Sequence, residues 1–233
     1  MLTAPKLDYA LLAPILIILG AALAGVLVEA FVKQAWRARI QLVLALGAIV
    51  ISLQQLFRVR NATSSIAAVT SVSIDGVGIF MQGAILVFAF LGILIIADQD
   101  NFAPQASALP GSSEEATALQ SGKQQTEVFP LTLFAVAGMM IFPIATDFIT
   151  LFVALEVLSL PLYLMAGLSR RRRLLSQEAA LKYFLLGAYS SAFFLFGAAL
   201  LYGYSGSLSL NGLTDAIRGA GGNDVFLLLG IAF

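Results

Sequence analysis

Residues 148–168 read FITLFVALEVLSLPLYLMAGL. Glu156 is the one charged side chain in this run, which has the length a helix needs to cross a bilayer, about 20 mostly apolar residues. Working outward, runs of the same kind cover about Leu11 to Phe31, Ile40 to Phe57, Gly76 to Ala97, Phe129 to Ala145 and Ala179 to Tyr204. A further apolar stretch begins at Val225 and reaches Phe233, about nine residues and less than half a span. The expected fold is therefore all-α, a polytopic transmembrane helical bundle whose seventh helix is cut short.

Composition agrees with that solvent. Of 233 residues 60% are hydrophobic and 11% charged, with a mean hydropathy of +0.94, where a soluble domain carries roughly a quarter charged residues. Thirteen basic residues balance thirteen acidic ones, so no global field recruits nucleic acid or an acidic substrate. The expected surroundings are a lipid bilayer. The chain has no Cys and no His, which excludes iron–sulfur ligation, haem attachment by Cys, the usual zinc sites and imidazole catalysis. No cofactor or metal site is expected in it, and any redox group would sit in other chains. Phosphate loops, dinucleotide fingerprints and nucleophile elbows are also missing. The first apolar run is too long for a signal peptide and its basic cluster follows it, so it reads as a retained helix.

Three segments are expected: three amino-terminal transmembrane helices over 1–97, a polar flexible cytoplasmic loop over 98–127, and a second group of helices over 128–233. The stretch Asp98 to Glu127 is rich in Ala, Ser, Gln, Pro and Gly and lacks the apolar surface that offsets ordering entropy. Asn61 to Ile74 alternates Thr, Ser and Val, which suits a short hairpin on the membrane surface. Its Asn61-Ala62-Thr63 glycosylation match reads as coincidence. Lys33, Arg37, Arg39, Lys123 and Arg170 to Arg173 fall in one set of loops, against Lys6, Arg58, Arg60 and Arg218 in the other. The more basic set belongs inside, so the amino terminus is expected outside.

Glu156 needs a reason to be where it is. A charged residue at the bilayer centre costs on the order of 2.5–3.5 kcal/mol on insertion scales. At 1.5 Å per residue it lies roughly 12–18 Å from either end of its run, too deep to snorkel. Desolvation favours the neutral acid and a nearby ammonium favours the carboxylate, so a titrating partner would load and unload its proton. Lys182 lies one turn beyond Glu178 on the same helical face, and Tyr189 and Ser190 continue that face, a stripe able to carry a hydrogen-bonded path inward. The plainer reading, Lys182 snorkelling to the interface with Glu178 as its partner, weighs equally. Glu29, four residues before Lys33, reads as half of a rim ion pair. Asp147 reads as a helix cap. Pro143 and Pro161 should kink their helices beside Glu156 and leave room for water.

The segment Leu155-Glu156-Val157-Leu158-Ser159-Leu160-Pro161-Leu162-Tyr163 resembles the glutamate-bearing fifth helix of subunit N in the proton-pumping NADH-quinone oxidoreductase (complex I) family. Glu178-Ala179-Ala180-Leu181-Lys182-Tyr183-Phe184-Leu185-Leu186-Gly187-Ala188 is similar to the family's next helix. Leu201-Tyr202-Gly203 with Ser205-Gly206-Ser207-Leu208 resembles the loop after it. The likeness is strong over about 147–213 and looser upstream, where Ile74-Asp75-Gly76 resembles the start of the third helix. Sister subunits and multi-subunit sodium/proton antiporters share the glutamate, but the residues after Glu156 resemble subunit N more.

The resemblance implies the first, incomplete half of an antiporter-like inverted-repeat subunit, with its first proton-translocating repeat beginning at 128. It implies that Glu156 is the coupling glutamate and that Glu178 and Lys182 are the acid and lysine at the start of the sixth helix, with Tyr189 a further candidate. In the family a lysine on the seventh, discontinuous helix partners the glutamate, and it would follow Phe233. Partners by resemblance are the other membrane subunits of the complex in a bacterial plasma membrane, and quinone, FMN and iron–sulfur clusters belong to those partners.

Overall fold

The computed structural model describes residues 7–60, 65–68, 71–97, 112–113, 125–168, 173–220 and 224–233. The chain begins with α1 (Tyr9–Phe31), α2 (Gln34–Val59), the strands β1 (Ser65–Ala68) and β2 (Val72–Ile74), and α3 (Gly76–Ala97). After the polar segment come α4 (Val128–Ile141), a 3-10 turn (Phe142–Ile144), α5 (Phe148–Leu168), α6 (Arg173–Ser205), α7 (Leu210–Ala220) and α8 (Val225–Ala232). Most of the expected loop over 98–127 lies outside the described residues, as do Lys6, Asn61 to Thr63, Lys123 and Arg170 to Arg172.

Among the described residues five helices, α1, α2, α3, α5 and α6, are long and apolar enough to cross a membrane. The stretch expected over Phe129 to Ala145 is shorter than its neighbours. Its α-helix stops at Ile141, and Pro143, which has no N–H to continue the ladder, sits in the 3-10 turn that follows. The α-helix and the turn together rise roughly 27 Å, close to the ~30 Å hydrocarbon core. Pro143 thus ends its helix instead of kinking it, while α5 is helical throughout across Pro161.

The hairpin forms where expected. β1 and β2 pair antiparallel, Ser65 opposite Ile74, with an irregularity between Ile66 and Ala68. It also joins the two halves of the bundle. Thr146 N donates to Ser71 O (3.0 Å), Phe148 N to Leu208 O (3.1 Å) and Leu210 N to Thr146 O (3.0 Å). The α4–α5 connection is therefore threaded between the hairpin and the α6–α7 connection at one end of the bundle. At the opposite end Gln125 Nε2 donates to Leu168 O (2.7 Å) and Ser176 Oγ to Ala166 O (2.8 Å). These tie the start of α4 and of α6 to the end of α5.

α1 to α4 enclose the main core, with Ile18, Ala22, Ile49, Leu86, Ile93, Leu133 and Met140 buried in it. Three buried polar side chains cross-link its helices: Ser52 Oγ donates to Pro14 O (2.8 Å), Gln82 Nε2 to Met140 O (3.1 Å) and Gln41 Nε2 to Gly25 O (2.7 Å). An apolar medium offers a polar group no other partner, so each bond fixes register as well as distance. Gly25 is required here, because a Cβ on it would come within 2.9 Å of both Gln41 Oε1 and Pro130 Cβ. A second apolar cluster gathers Phe148, Ala198, Leu201 and Leu227, with Leu210, Leu213 and Ile217 of the amphipathic α7 packed against it.

Candidate functional site

Glu156 lies in the middle of α5, half-buried. Its surroundings are set by two close helix crossings. On one side α4 approaches so closely that a Cβ on Gly138 would sit 2.5 Å from Leu158 N and 2.9 Å from Ala154 O, two residues either side of the glutamate's position. On the other side α6 presents Ser191, buried, whose Oγ donates to Glu156 Oε1. Phe152 and Phe194 stack one turn away, with ring centroids 6.4 Å apart. Ser159 Oγ turns back to Leu155 O at 2.6 Å. Glu156 therefore has a hydroxyl partner in an otherwise apolar layer between α5 and α6. That hydrogen bond can serve either protonation state, because a serine hydroxyl both donates and accepts.

The stripe Glu178, Lys182, Tyr189 exists, and it lies elsewhere. Lys182 Nζ donates to Glu178 Oε1 at 2.5 Å, with the two side chains 69% and 56% exposed, and Tyr189 is 66% exposed. Nine residues separate Lys182 from Ser191, which in an α-helix is about 14 Å of rise and two and a half turns. The two side chains therefore point to opposite sides of α6. The structure joins Glu178 to Lys182 and joins Ser191 to Glu156, and it does not bring the two pairs together.

Ser191 is the functional candidate that sequence reasoning missed, by one residue, having followed the stripe to Ser190. The signal was present in Gly187 and Ser191, two small residues four apart that mark a close-packed helix face. A Cβ on Gly187 would lie 2.5 Å from Cζ of the buried Tyr163, which is held by edge-on contacts with Tyr183 (4.7 Å) and Phe184 (5.8 Å). Asp147 caps α5 as expected: Oδ1 accepts from Thr150 N at 2.7 Å and Oδ2 from Thr150 Oγ1 at 2.9 Å. Glu29 pairs with Arg37 at 3.4 Å rather than with Lys33, and also accepts from Gln41 Nε2 at 2.9 Å. The reach to Arg37 instead of Lys33 follows from the α1–α2 elbow, where Arg37 Nε also donates to Val32 O at 2.7 Å.

Comparison with known proteins shows what this chain resembles. The family model described as NADH:quinone oxidoreductase/Mrp antiporter, transmembrane, matches residues 145–233, a span that includes Glu156, Glu178, Lys182, Tyr189 and Ser191. NADH-quinone oxidoreductase subunit N of Acidothermus cellulolyticus is 51% identical over 98% of this chain and 45% of its own length. The subunit N of Rhodococcus opacus is 48% identical over 98% of this chain and 47% of its own, and that of Mycobacterium tuberculosis 46% identical over 99% and 48%. The chain thus spans about half the length of the curated relatives it matches. A chain of respiratory complex I from Thermus thermophilus superposes with a TM-score of 0.66 and 27% identity, over 94% of this chain and 41% of that one. A chain of an archaeal membrane-bound sulfane sulfur reductase shares the fold with a TM-score of 0.69 at 17% identity, over 96% of this chain and 32% of that one. This chain is a multi-pass membrane protein, similar over nearly its whole length to about half of NADH-quinone oxidoreductase subunit N and, over 145–233, to the family of antiporter-like membrane proteins.

Proposed function

We propose that this chain serves in the membrane arm of a proton-translocating NADH-quinone oxidoreductase, where Glu156 is the proton-loading group. The observation that carries the proposal is Glu156 itself, an acid in the middle of a membrane-length helix that takes a hydroxyl partner from the next helix. It lies within the span that matches the oxidoreductase and antiporter family model. A group that loads and unloads a proton needs a partner in both of its states, and a serine hydroxyl can both donate and accept. Quinone reduction elsewhere in the complex would supply the change in field. Protons would enter by way of Lys182 and Glu178, with Tyr189 further along the same face, and would pass around α6 to reach the Glu156–Ser191 layer. The more basic end of the bundle faces the cytoplasm of a bacterial cell, with the amino terminus outside the plasma membrane.

In this reading the chain performs no redox step. Its partners are the other membrane subunits and the subunits that hold FMN, iron–sulfur clusters and quinone. The experiment is Glu156→Gln in the intact complex, with the ratio of protons moved to electrons transferred as the readout. A lowered ratio with quinone reduction retained is expected. An unchanged ratio would remove Glu156 from proton transfer and leave the chain as a scaffold of the arm.

The family description also names Mrp antiporters, which favours a second reading as a subunit of a multi-subunit cation/proton antiporter. Purification of the native assembly separates the two. Redox subunits among the co-purified chains support the first reading, and antiporter subunits alone support the second.

A further inference from the structure

α2 and α3 part along their outer faces and leave a groove of about 650 Å³. Leu53, Phe57, Ile79, Phe80, Val87 and Phe88 form its apolar walls, and Arg60 is the charged residue of its lining. We propose that this groove binds one acyl chain of an anionic phospholipid, with the lipid phosphate on Arg60.

Length, width and charge each bear on the occupant. Arg60 is the residue after α2 and Gly76 the first of α3, so both stand at the hairpin end of the bundle. From Gly76 to Phe88 the groove follows α3 for roughly 18 Å, close to the ~15 Å depth of one leaflet of the hydrocarbon core. A lipid with its phosphate at the Arg60 end would therefore lay its tail along Phe80 and Phe88 without leaving its own leaflet. An acyl chain can lie within such a groove along its length, whereas a transmembrane helix, about 10–12 Å across with its side chains, would seat only one face in it. The guanidinium matches phosphate by geometry as well as charge. Arg58 in the last turn of α2 adds to the local positive field, which favours a net-anionic headgroup over one that carries its own cation. Gly83 sets the depth. A Cβ on it would meet only Leu56 Cδ2, at 3.5 Å, so a larger side chain there is accommodated by the fold and fills the groove.

Native mass spectrometry of the purified full chain, incubated with phosphatidylglycerol or with phosphatidylcholine of the same acyl chains, tests the site. The wild-type chain should retain phosphatidylglycerol over phosphatidylcholine. Arg60→Gln should lower phosphatidylglycerol retention about fivefold and leave phosphatidylcholine nearly unchanged, Arg58→Gln should do less, and Gly83→Leu should lower both. Far-UV circular dichroism reports whether each variant is folded, and Arg60→Gln, at the surface, decides the matter if Gly83→Leu is not. Equal retention of the two lipids, an unaffected Arg60→Gln, or equal effects of the two arginine variants would overturn the proposal. So would a photo-crosslinking residue at Ala84 that captures a protein instead of a lipid in native membranes.

Discussion

Ser191 of α6 donates its hydroxyl to Glu156 Oε1 of α5, and this bond is the polar contact that the structure gives the acid in the middle of its helix. Ser191→Ala would leave a carboxyl oxygen without its partner in an apolar layer, at a cost of about 1–3 kcal/mol. The infrared carbonyl band of the protonated acid, assigned by its loss in Glu156→Gln, should move to higher wavenumber in Ser191→Ala and return in Ser191→Thr. A band that stays in place would mean that the hydroxyl does not reach the acid.

The crossing of α4 and α5 at Gly138 should be intolerant of any side chain. A methyl group there meets backbone, Leu158 N at 2.5 Å and Leu158 Cα at 2.8 Å, and backbone cannot rotate away as a side-chain tip can. Gly138→Ala should therefore destabilise the fold by about 1–3 kcal/mol and move α5 away from α4 in the turn that carries Glu156. A lower thermal midpoint together with a lower proton-to-electron ratio is the expected result. An unchanged midpoint would show that the helices are not in contact there.

Long apolar helices were legible because a membrane demands a run of about 20 apolar residues and the chain supplies them nearly uninterrupted. α7 was not, because Leu210–Ala220 is short and two-faced: Leu210, Leu213 and Ile217 reach the cluster around Phe148 while Asp215 and Arg218 stay exposed. Hydropathy averages such a segment away, and only its period of 3.6 would have revealed it. The acid was legible and its partner was not. One residue along a helix turns a side chain by about 100°, enough to put Ser190 on the exposed face and Ser191 on the buried one. The polar cross-links Ser52–Pro14 and Gln82–Met140 join residues far apart in the chain, and no local pattern announces them.

Tyr163 and Gly187 should behave as one unit. Gly187→Ala brings a methyl group against the Tyr163 ring, and that ring has little freedom because Tyr183 and Phe184 close on it edge-on. Alone it should cost about 1–3 kcal/mol. In combination with Tyr163→Leu most of that cost should disappear, so a double-mutant cycle on thermal or denaturant stability should give a coupling of about 0.5–3 kcal/mol. Additive effects would place the two residues out of contact.

Lys182 and Glu178 face outward from α6, on the side away from Ser191, and Lys182 lies two and a half turns and about 14 Å of rise from it. An ion pair so exposed contributes little to stability, of the order of 0–1 kcal/mol. Lys182→Met should therefore leave the thermal midpoint of the chain nearly unchanged, and its effect on the complex should be confined to transport. If protons enter through this stripe, Lys182→Met should lower the proton-to-electron ratio and Lys182→Arg, which keeps the charge, should lower it less. Because entry and loading would then lie on one path, Lys182→Met added to Glu156→Gln should lower the ratio no further, the non-additivity expected of residues that act as a unit. A Lys182→Met complex that pumps as wild type would confine Lys182 to an interfacial pair with Glu178, and proton access to Glu156 would have to come from another side of α5.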